Sequence, residues 1–352
     1  MFTSRRRIVA QIFRCVVVCV LIFFIVQLNI LFVGDEDKPA PKLDDLKKLM
    51  IEAEIDNSKR LFTIKDTCQR YNLGMYKGSD QPAVFKHPPV PQYTVFYITR
   101  SHNLSYCPIY KAGSTTWIYN LCLLMNVPEE ELNSGKEQIS TIARRVIPEL
   151  EYPEADEGLR VTKKLLVVRH PFERLLSAYR DKLENSVAGR EHGTLHFYRK
   201  YGAKIVQKYR GKDFTSPRED QVIRRQDLPA PAGIEPTFNE FVQYLIHTDL
   251  ASYGDDHWMP YYLFCTPCVL DYDIVAKVET LWRDQIYTIH KLGLQEVIKP
   301  RWRHSGGRSN ASRIYFSQLN RDTVKKLYEK LQLDFHLFDY SPDVYYEYAT
   351  SL

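Results

Sequence analysis

Lys111 stands in the stretch PIYKAGSTTW, followed at once by three hydroxyl residues, Ser114, Thr115 and Thr116. A cation and hydroxyls gathered at one turn suit the capture of an anion, above all a phosphate or sulfate. Arg169 and Ser177, eight residues apart in VVRHPFERLLSAYR, form a second grouping of the same kind. Two anion sites at one edge of a fold would hold a nucleotide with two separate phosphates at both ends. A third residue with chemistry is His257, in the run Asp255-Asp256-His257-Trp258. An imidazole can take a proton from a hydroxyl, which makes His257 the candidate base or acceptor-binding residue. The competing reading is a buried, hydrogen-bonded histidine beside the Cys265-x-x-Cys268 pair.

The elements that must position these groups are legible around them. Leu104–Tyr110 reads as a strand and Lys111-Ala112-Gly113 as a tight turn, with Gly113 free to take angles other residues resist. Ser114 is the expected N-cap of a helix whose packed face carries Trp117, Leu121, Leu124 and Met125. The amides and dipole at such a helix start favour an anion. The loop is not a Walker A sequence, and an ordinary tight turn would show the same pattern. Leu165–Val168 is a continuous apolar run of the kind found in buried parallel strands. Pro171 suits a first helical turn, Phe172, Leu175, Leu176 and Tyr179 its packed face, and Glu173 and Arg174 structural pairs. Ligands in open α/β sheets bind beyond the carboxyl ends of strands, where both groupings fall.

These two stretches resemble the 5′-phosphosulfate and 3′-phosphate loops of sulfotransferases that use 3′-phosphoadenosine 5′-phosphosulfate (PAPS). The downstream run His257-Trp258…Leu263-Phe264-Cys265-Thr266-Pro267-Cys268…Tyr272-Asp273…Lys277-Val278-Glu279-Thr280-Leu281 is similar to that of the Golgi carbohydrate sulfotransferases of the chondroitin/dermatan 4-O-sulfotransferase family. Arg199-Lys200-Tyr201-Gly202 and Leu333-Asp334-Phe335…Phe338…Tyr340-Ser341 add to the likeness, which spans Cys68 to Ser341. The resemblance implies an α/β, P-loop-like sulfotransferase fold with a central, mostly parallel sheet. It implies sulfate transfer from PAPS to a glycan hydroxyl, with position 4 of N-acetylgalactosamine in chondroitin or dermatan chains as the expected acceptor. Lys111, Ala112, Gly113, Ser114, Thr115, Thr116 and Trp117 would hold the 5′-phosphosulfate, and Arg169 and Ser177 the 3′-phosphate. Lys111 and His257 would be the catalytic pair. No metal is implied, because Lys111 and Arg169 can neutralise the charge. The chain departs from the family in lacking a histidine between Trp117 and Arg169, where Gln138 stands, and in carrying His170 after Arg169 and Gly113-Ser114 in the first loop. The alternative is a non-catalytic glycan-binding paralogue. A P-loop kinase or NTPase lacks its Walker A sequence and a magnesium aspartate.

The 352 residues suit one large domain plus extras, and a net charge of +5 tolerates an acidic polymer without predicting nucleic acid. Arg5-Arg6-Arg7 precede an apolar run, Cys15–Val33, long enough to cross a bilayer, and Asp35, Glu36 and Asp37 follow it. The run is read as an uncleaved signal-anchor, with a cleaved signal peptide as competitor. The expected order is a cytosolic tail at 1–14, a transmembrane helix at 15–33, a lumenal stem at 34–92 and a catalytic domain at 93–352. That order places a single-pass type II protein in the Golgi membrane. Leu43, Leu46, Met50 and Ala53 mark a short amphipathic stem helix, either self-associating or merely solvated. Asn103 and Asn310 head N-glycosylation sequons. Cys68, Cys107, Cys265 and Cys268 are expected to form two disulfides of open connectivity, leaving Cys122 free. A zinc site at Cys265-x-x-Cys268 lacks a second ligand pair. The basic, aromatic stretch Leu195–Arg210 either meets an anionic sugar chain or is a solvated face.

Overall fold

A computed structural model describes residues 43–78, 87–188, 194–212, 214–223, 230–301 and 310–350. The expected signal-anchor at 15–33 lies outside them. Among the described residues no helix is long and apolar enough to cross a membrane.

The chain enters through α1, Leu43–Arg70, a helix of 28 residues. Strands β1 (Tyr97–Thr99) and β2 (Leu104–Cys107) form a hairpin, with Tyr93–Val95 a 3-10 turn ahead of it. Helices α2 (Ser114–Leu124) and α3 (Ile139–Val146) then lead to β3 (Lys163–Val168). After it come α4 (Pro171–Lys182), α5 (Phe238–His247), β4 (Ile274–Lys277), α6 (Leu281–Lys291) and α7 (Arg321–Leu337). The sheet order is β1-β2-β3-β4, with β2, β3 and β4 parallel and only the β1–β2 pair antiparallel.

Side chains alternate across a strand, so β3 serves both faces. Leu165 and Val167 pack with Trp117 and Leu121 of α2, while Leu166 and Val168 pack with Phe264, Leu333 and the cystine sulfurs. A third cluster joins α4 to α5 and α7 through Phe172, Phe241, Phe335 and Trp258. Thr237 caps α5 with a capping box, its hydroxyl accepting from the Glu240 amide and its amide donating to the Glu240 carboxylate. The stretch from Leu195 to Tyr209 is helical but interrupted by a π turn at Tyr198–Gly202.

The segment read as stem includes α1, which packs on the domain. The compact unit starts at Leu43, and α1 lies along the edge of the sheet. Asn57 donates to the Asp273 carbonyl at 2.9 Å and accepts from the Val275 amide at 2.8 Å. Arg60 donates to the Val275 carbonyl at 2.7 Å and pairs with Asp284 at 2.6 Å. Side chains thus satisfy the open backbone of β4, as an edge strand requires. Met50 and Ala53, on the face read as either self-associating or solvated, pack on the core.

Two disulfides form, Cys68–Cys268 and Cys107–Cys265, and Cys122 is free and buried. The first staples the end of α1 to the domain. The second fixes the end of β2, just ahead of Lys111.

Candidate active site

Both expected anion loops open from the carboxyl ends of adjacent parallel strands, β2 and β3. The first is held in an unusual backbone. Lys111 has φ 68° and Gly113 φ 77°, both left-handed. For lysine that conformation costs about 1–2 kcal/mol. A left-handed turn leading into a helix start makes a concave donor surface for an anion, with the Thr116 amide already donating to the Gly113 carbonyl at 3.1 Å. Gly113 rather than Ser114 occupies the cap position, and Ser114 is the first helical residue. The difference arises because the left-handed glycine already ends the turn and leaves no extended residue to cap with a side chain. Ser114 and Thr116 are buried, and Thr115 is half-buried. Ala112 and Trp117 have no exposed surface: the Ala112 amide donates to the Ile109 carbonyl, and Trp117 is core against Tyr106. Those two shape and anchor the loop from beneath.

The Lys111 ammonium pairs with Asp181 at 3.1 Å, and Lys182 meets the same carboxylate at 3.1 Å. Burial pushes the Lys111 ammonium below its ordinary value, with Asp181 opposing. Burial would raise Asp181, but Lys111 and Lys182 hold it at about 2. Neither Asp181 nor Lys182 was singled out by the sequence. Their only local signal is a place in the last turn of α4, and nothing in the sequence says that this turn faces Lys111.

The second loop is built from side chains. Arg169 donates to the Lys111 carbonyl at 3.3 Å and to Glu173 at 3.5 Å, so the two loops touch. Glu173 is also held by Tyr345, at 2.8 Å, and by Ser312. His170 caps α4 by accepting from the Phe172 amide and donates from Nε2 to the Ser341 carbonyl at 2.9 Å. Its role is local, as its place beside Pro171 allows. Ser177 is half-buried on α4, and its hydroxyl has no protein hydrogen bond among the described residues.

Arg174 is almost wholly buried and ties the site together. It donates to the carbonyls of Tyr110 at 3.0 Å, Met259 at 2.7 Å and Asp256 at 2.8 Å. This places the His257 segment against the base of the first loop. The His257 ring stacks on Tyr110 at 4.8 Å and meets the edge of Phe197 at 5.3 Å. Its Nδ1 lies 2.7 Å from Asp255, whose other oxygen accepts from Tyr201 at 3.0 Å. Burial lowers the His257 pKa, and the charges of Lys182 and Lys111 act in the same direction against the pull of Asp255. Burial would raise Asp255, but its bonds from His257 and Tyr201 hold it at about 2. The result is a neutral imidazole oriented by a carboxylate, with Nδ1–H donated and Nε2 left to accept a proton. Gln138, by contrast, is exposed at the cap position of α3.

Arg199, Lys200, Lys204 and Lys208 are exposed, and Lys200 reaches within 3.6 Å of Asp255. Arg210 is structural, paired to Glu240 at 2.8 Å. Asn103 and Asn310 are both exposed; Asn103 lies ahead of β2, at the end of the strand away from Lys111.

Residues 94–341 match the Sulfotransferase family. The chain belongs to that family. This sulfotransferase is 31% identical over 311 residues to carbohydrate sulfotransferase 11 of Rattus norvegicus, covering 83% of this chain and 79% of the relative. It is 26% identical over 319 residues to carbohydrate sulfotransferase 8 of Mus musculus, covering 86% and 68%. With carbohydrate sulfotransferase 14 of Danio rerio the figures are 27% over 307 residues, 85% and 76%. No solved structure matches the chain significantly. Membership makes it an enzyme and implies PAPS as its sulfate donor. The donor set fits that substrate, because cations and helix-start amides face the carboxyl ends of β2 and β3.

Proposed function

We propose that this enzyme transfers sulfate from PAPS to a hydroxyl of a glycan, at position 4 of N-acetylgalactosamine in chondroitin- or dermatan-type chains. The observation that carries the reading is the meeting of the Lys111 loop, Arg169 and the Asp255–His257 pair beyond the ends of two adjacent strands. The likeness to carbohydrate sulfotransferase 11, 8 and 14 supports a carbohydrate acceptor.

In this reading Lys111 and the first amides of α2 hold the 5′-phosphosulfate, and Arg169 with Ser177 holds the 3′-phosphate. The acceptor oxygen bonds to sulfur as the bridging sulfur–oxygen bond breaks, and 3′-phosphoadenosine 5′-phosphate leaves. The acceptor proton passes to Nε2 of His257, and Asp255 steadies the imidazolium. Lys111 neutralises the charge growing on the leaving phosphate, the kind of contribution that dominates such transfers. Arg199, Lys200, Lys204 and Lys208 present cations to an anionic chain.

We place the enzyme in the Golgi membrane as a single-pass type II protein with a lumenal catalytic domain. The two disulfides support an oxidising compartment.

The test incubates the enzyme with labelled PAPS and chondroitin, dermatan, heparosan and N-glycan acceptors, then maps the labelled sugar. Label at position 4 of N-acetylgalactosamine is expected. Label on another sugar would overturn the acceptor, and no label with donor bound would overturn the glycan reading.

A further inference from the structure

Helix α1 has two apolar faces, and only one is used. Written as heptads with Ile51 at d, Met50, Ala53, Asn57, Arg60 and Ile64, which meet the domain, fall at c and f, and Glu54 and Leu61 at g and Asp56 at b flank them. The opposite a/d edge carries Ile51, Ile55, Ser58 and Phe62. Ile51 is 62% exposed, Ile55 50% and Phe62 69%, in a helix whose other exposed residues, Leu43 at its start apart, are polar or charged. An apolar a/d row facing away from the core is the pattern that pairs helices.

The flanking charges define the partner. In a parallel, in-register pair each g residue meets the e residue five positions on in the other helix. Lys47 at g would face Glu52 at e, and Glu54 at g would face Lys59 at e. Both pairs are of opposite sign when the second helix is identical to the first. Lys47, Glu52, Glu54 and Lys59 are all exposed, and Lys47 and Lys59 have no ion-pair partner among the described residues. Glu54 is half exposed and meets Lys291 and Tyr287 through one oxygen, leaving the other to a partner.

We propose that α1 pairs with α1 of a second copy of this chain, parallel and in register, along Ile51, Ile55, Ser58 and Phe62.

The seam is short, bounded by Lys48 at a and Lys65 at d, so a free peptide of this sequence would pair poorly. Here the helix is formed in advance. Asn57 and Arg60 bind it to β4, and Cys68 locks its end, so pairing orders little new chain. The c/f face carries the main domain contacts, and at the far end of the seam Phe62 also borders a cleft beside Pro267, Leu270 and Tyr272. Anchoring through the apolar run at 15–33 would start both helices from one membrane surface, which favours the parallel sense and raises the effective concentration of partners.

The experiment uses the full chain, extracted from membranes in mild detergent and mildly oxidised. Ile51→Cys and Ser58→Cys are made singly, with the wild-type chain giving the background from Cys15, Cys19 and Cys122. In a parallel, in-register pair both variants cross-link to themselves. An antiparallel pair brings at most one of those positions opposite its own copy, so one cross-link alone overturns the proposed geometry. In the Ser58→Cys background, Glu52→Lys is expected to reduce the cross-linked fraction about tenfold, and Lys47→Glu added to it to restore the dimer. No cross-link in either variant, or indifference to Glu52→Lys, overturns the proposal. All these residues are exposed and outside the site, so sulfate transfer reports in every variant that the fold is intact.

Discussion

The two anion loops stand side by side and are built by different means. The Lys111 loop uses backbone: two left-handed residues, a glycine at the cap position and the start of a helix. A disulfide at Cys107 steadies it from behind. The Arg169 loop uses side chains on regular backbone: a proline in the first helical turn, an imidazole cap and an arginine held by Glu173. The first can wrap closely round a group whose charge changes during reaction. The second suits a phosphate that only has to stay where it is. On the proposed roles, strain would sit where charge develops, and regular structure where the substrate is merely gripped.

Five variants break or sharpen that contrast. The largest effect should come from the base that stacks on the first loop. His257→Gln is expected to slow transfer by roughly 10²–10⁴-fold. In the wild type the base works while neutral. Burial lowers its pKa, so activity should persist below the ordinary histidine value and fall as pH drops through the lowered one. A rate–pH profile checks both, and the variant should lose that acid limb. Next, Lys111→Ala should cost roughly 10²–10³-fold in kcat, as the loss of a charge-stabilising donor does. Arg169→Ala should instead raise the donor KM by about 10–100-fold, the worth of charged hydrogen bonds of roughly 1.5–3 kcal/mol. The reverse pattern would dissolve the contrast.

Gly113→Ala is smaller. A Cβ there meets only Leu281 at 3.5 Å and Val278 at 4.0 Å, so the cost is backbone strain and not a clash. A stability loss of about 1–2 kcal/mol in urea unfolding is expected. Asp181→Asn should be smallest. Removing that carboxylate tightens donor binding at neutral pH, because a negative charge leaves the anion site. It also lets the Lys111 pKa fall further, so donor binding should fade at a lower alkaline pH than in the wild type. Calorimetric titration with 3′-phosphoadenosine 5′-phosphate across pH reads both shifts.

The parts legible in the sequence were those that local chemistry decides. A buried parallel strand is an apolar run, so Leu165–Val168 declared β3, and the Thr237–Glu240 spacing declared the cap of α5. Lys111 alone could mark an ordinary tight turn, and it stood out because Arg169 and Ser177 repeat the pattern at a second strand-to-helix turn. Long-range pairings left less trace. α1 buries Asn57 and Thr67 beside Ala53 and Ile64, and polar residues on a buried face erase the apolar period by which a helix is recognised. β4 has only four residues and was not read as a strand. Asp181 meets Lys111 through the turn of α4, a contact no spacing encodes.

The Cys68–Cys268 bond joins residues 200 positions apart, and Cys107–Cys265 closes a second ring within that span. A protease that severs one peptide bond between Cys68 and Cys268 therefore releases nothing. The nicked enzyme would migrate as one band on a gel without reductant and as two with it. Loss of chain continuity and loss of architecture become separate events, and the second awaits a thiol.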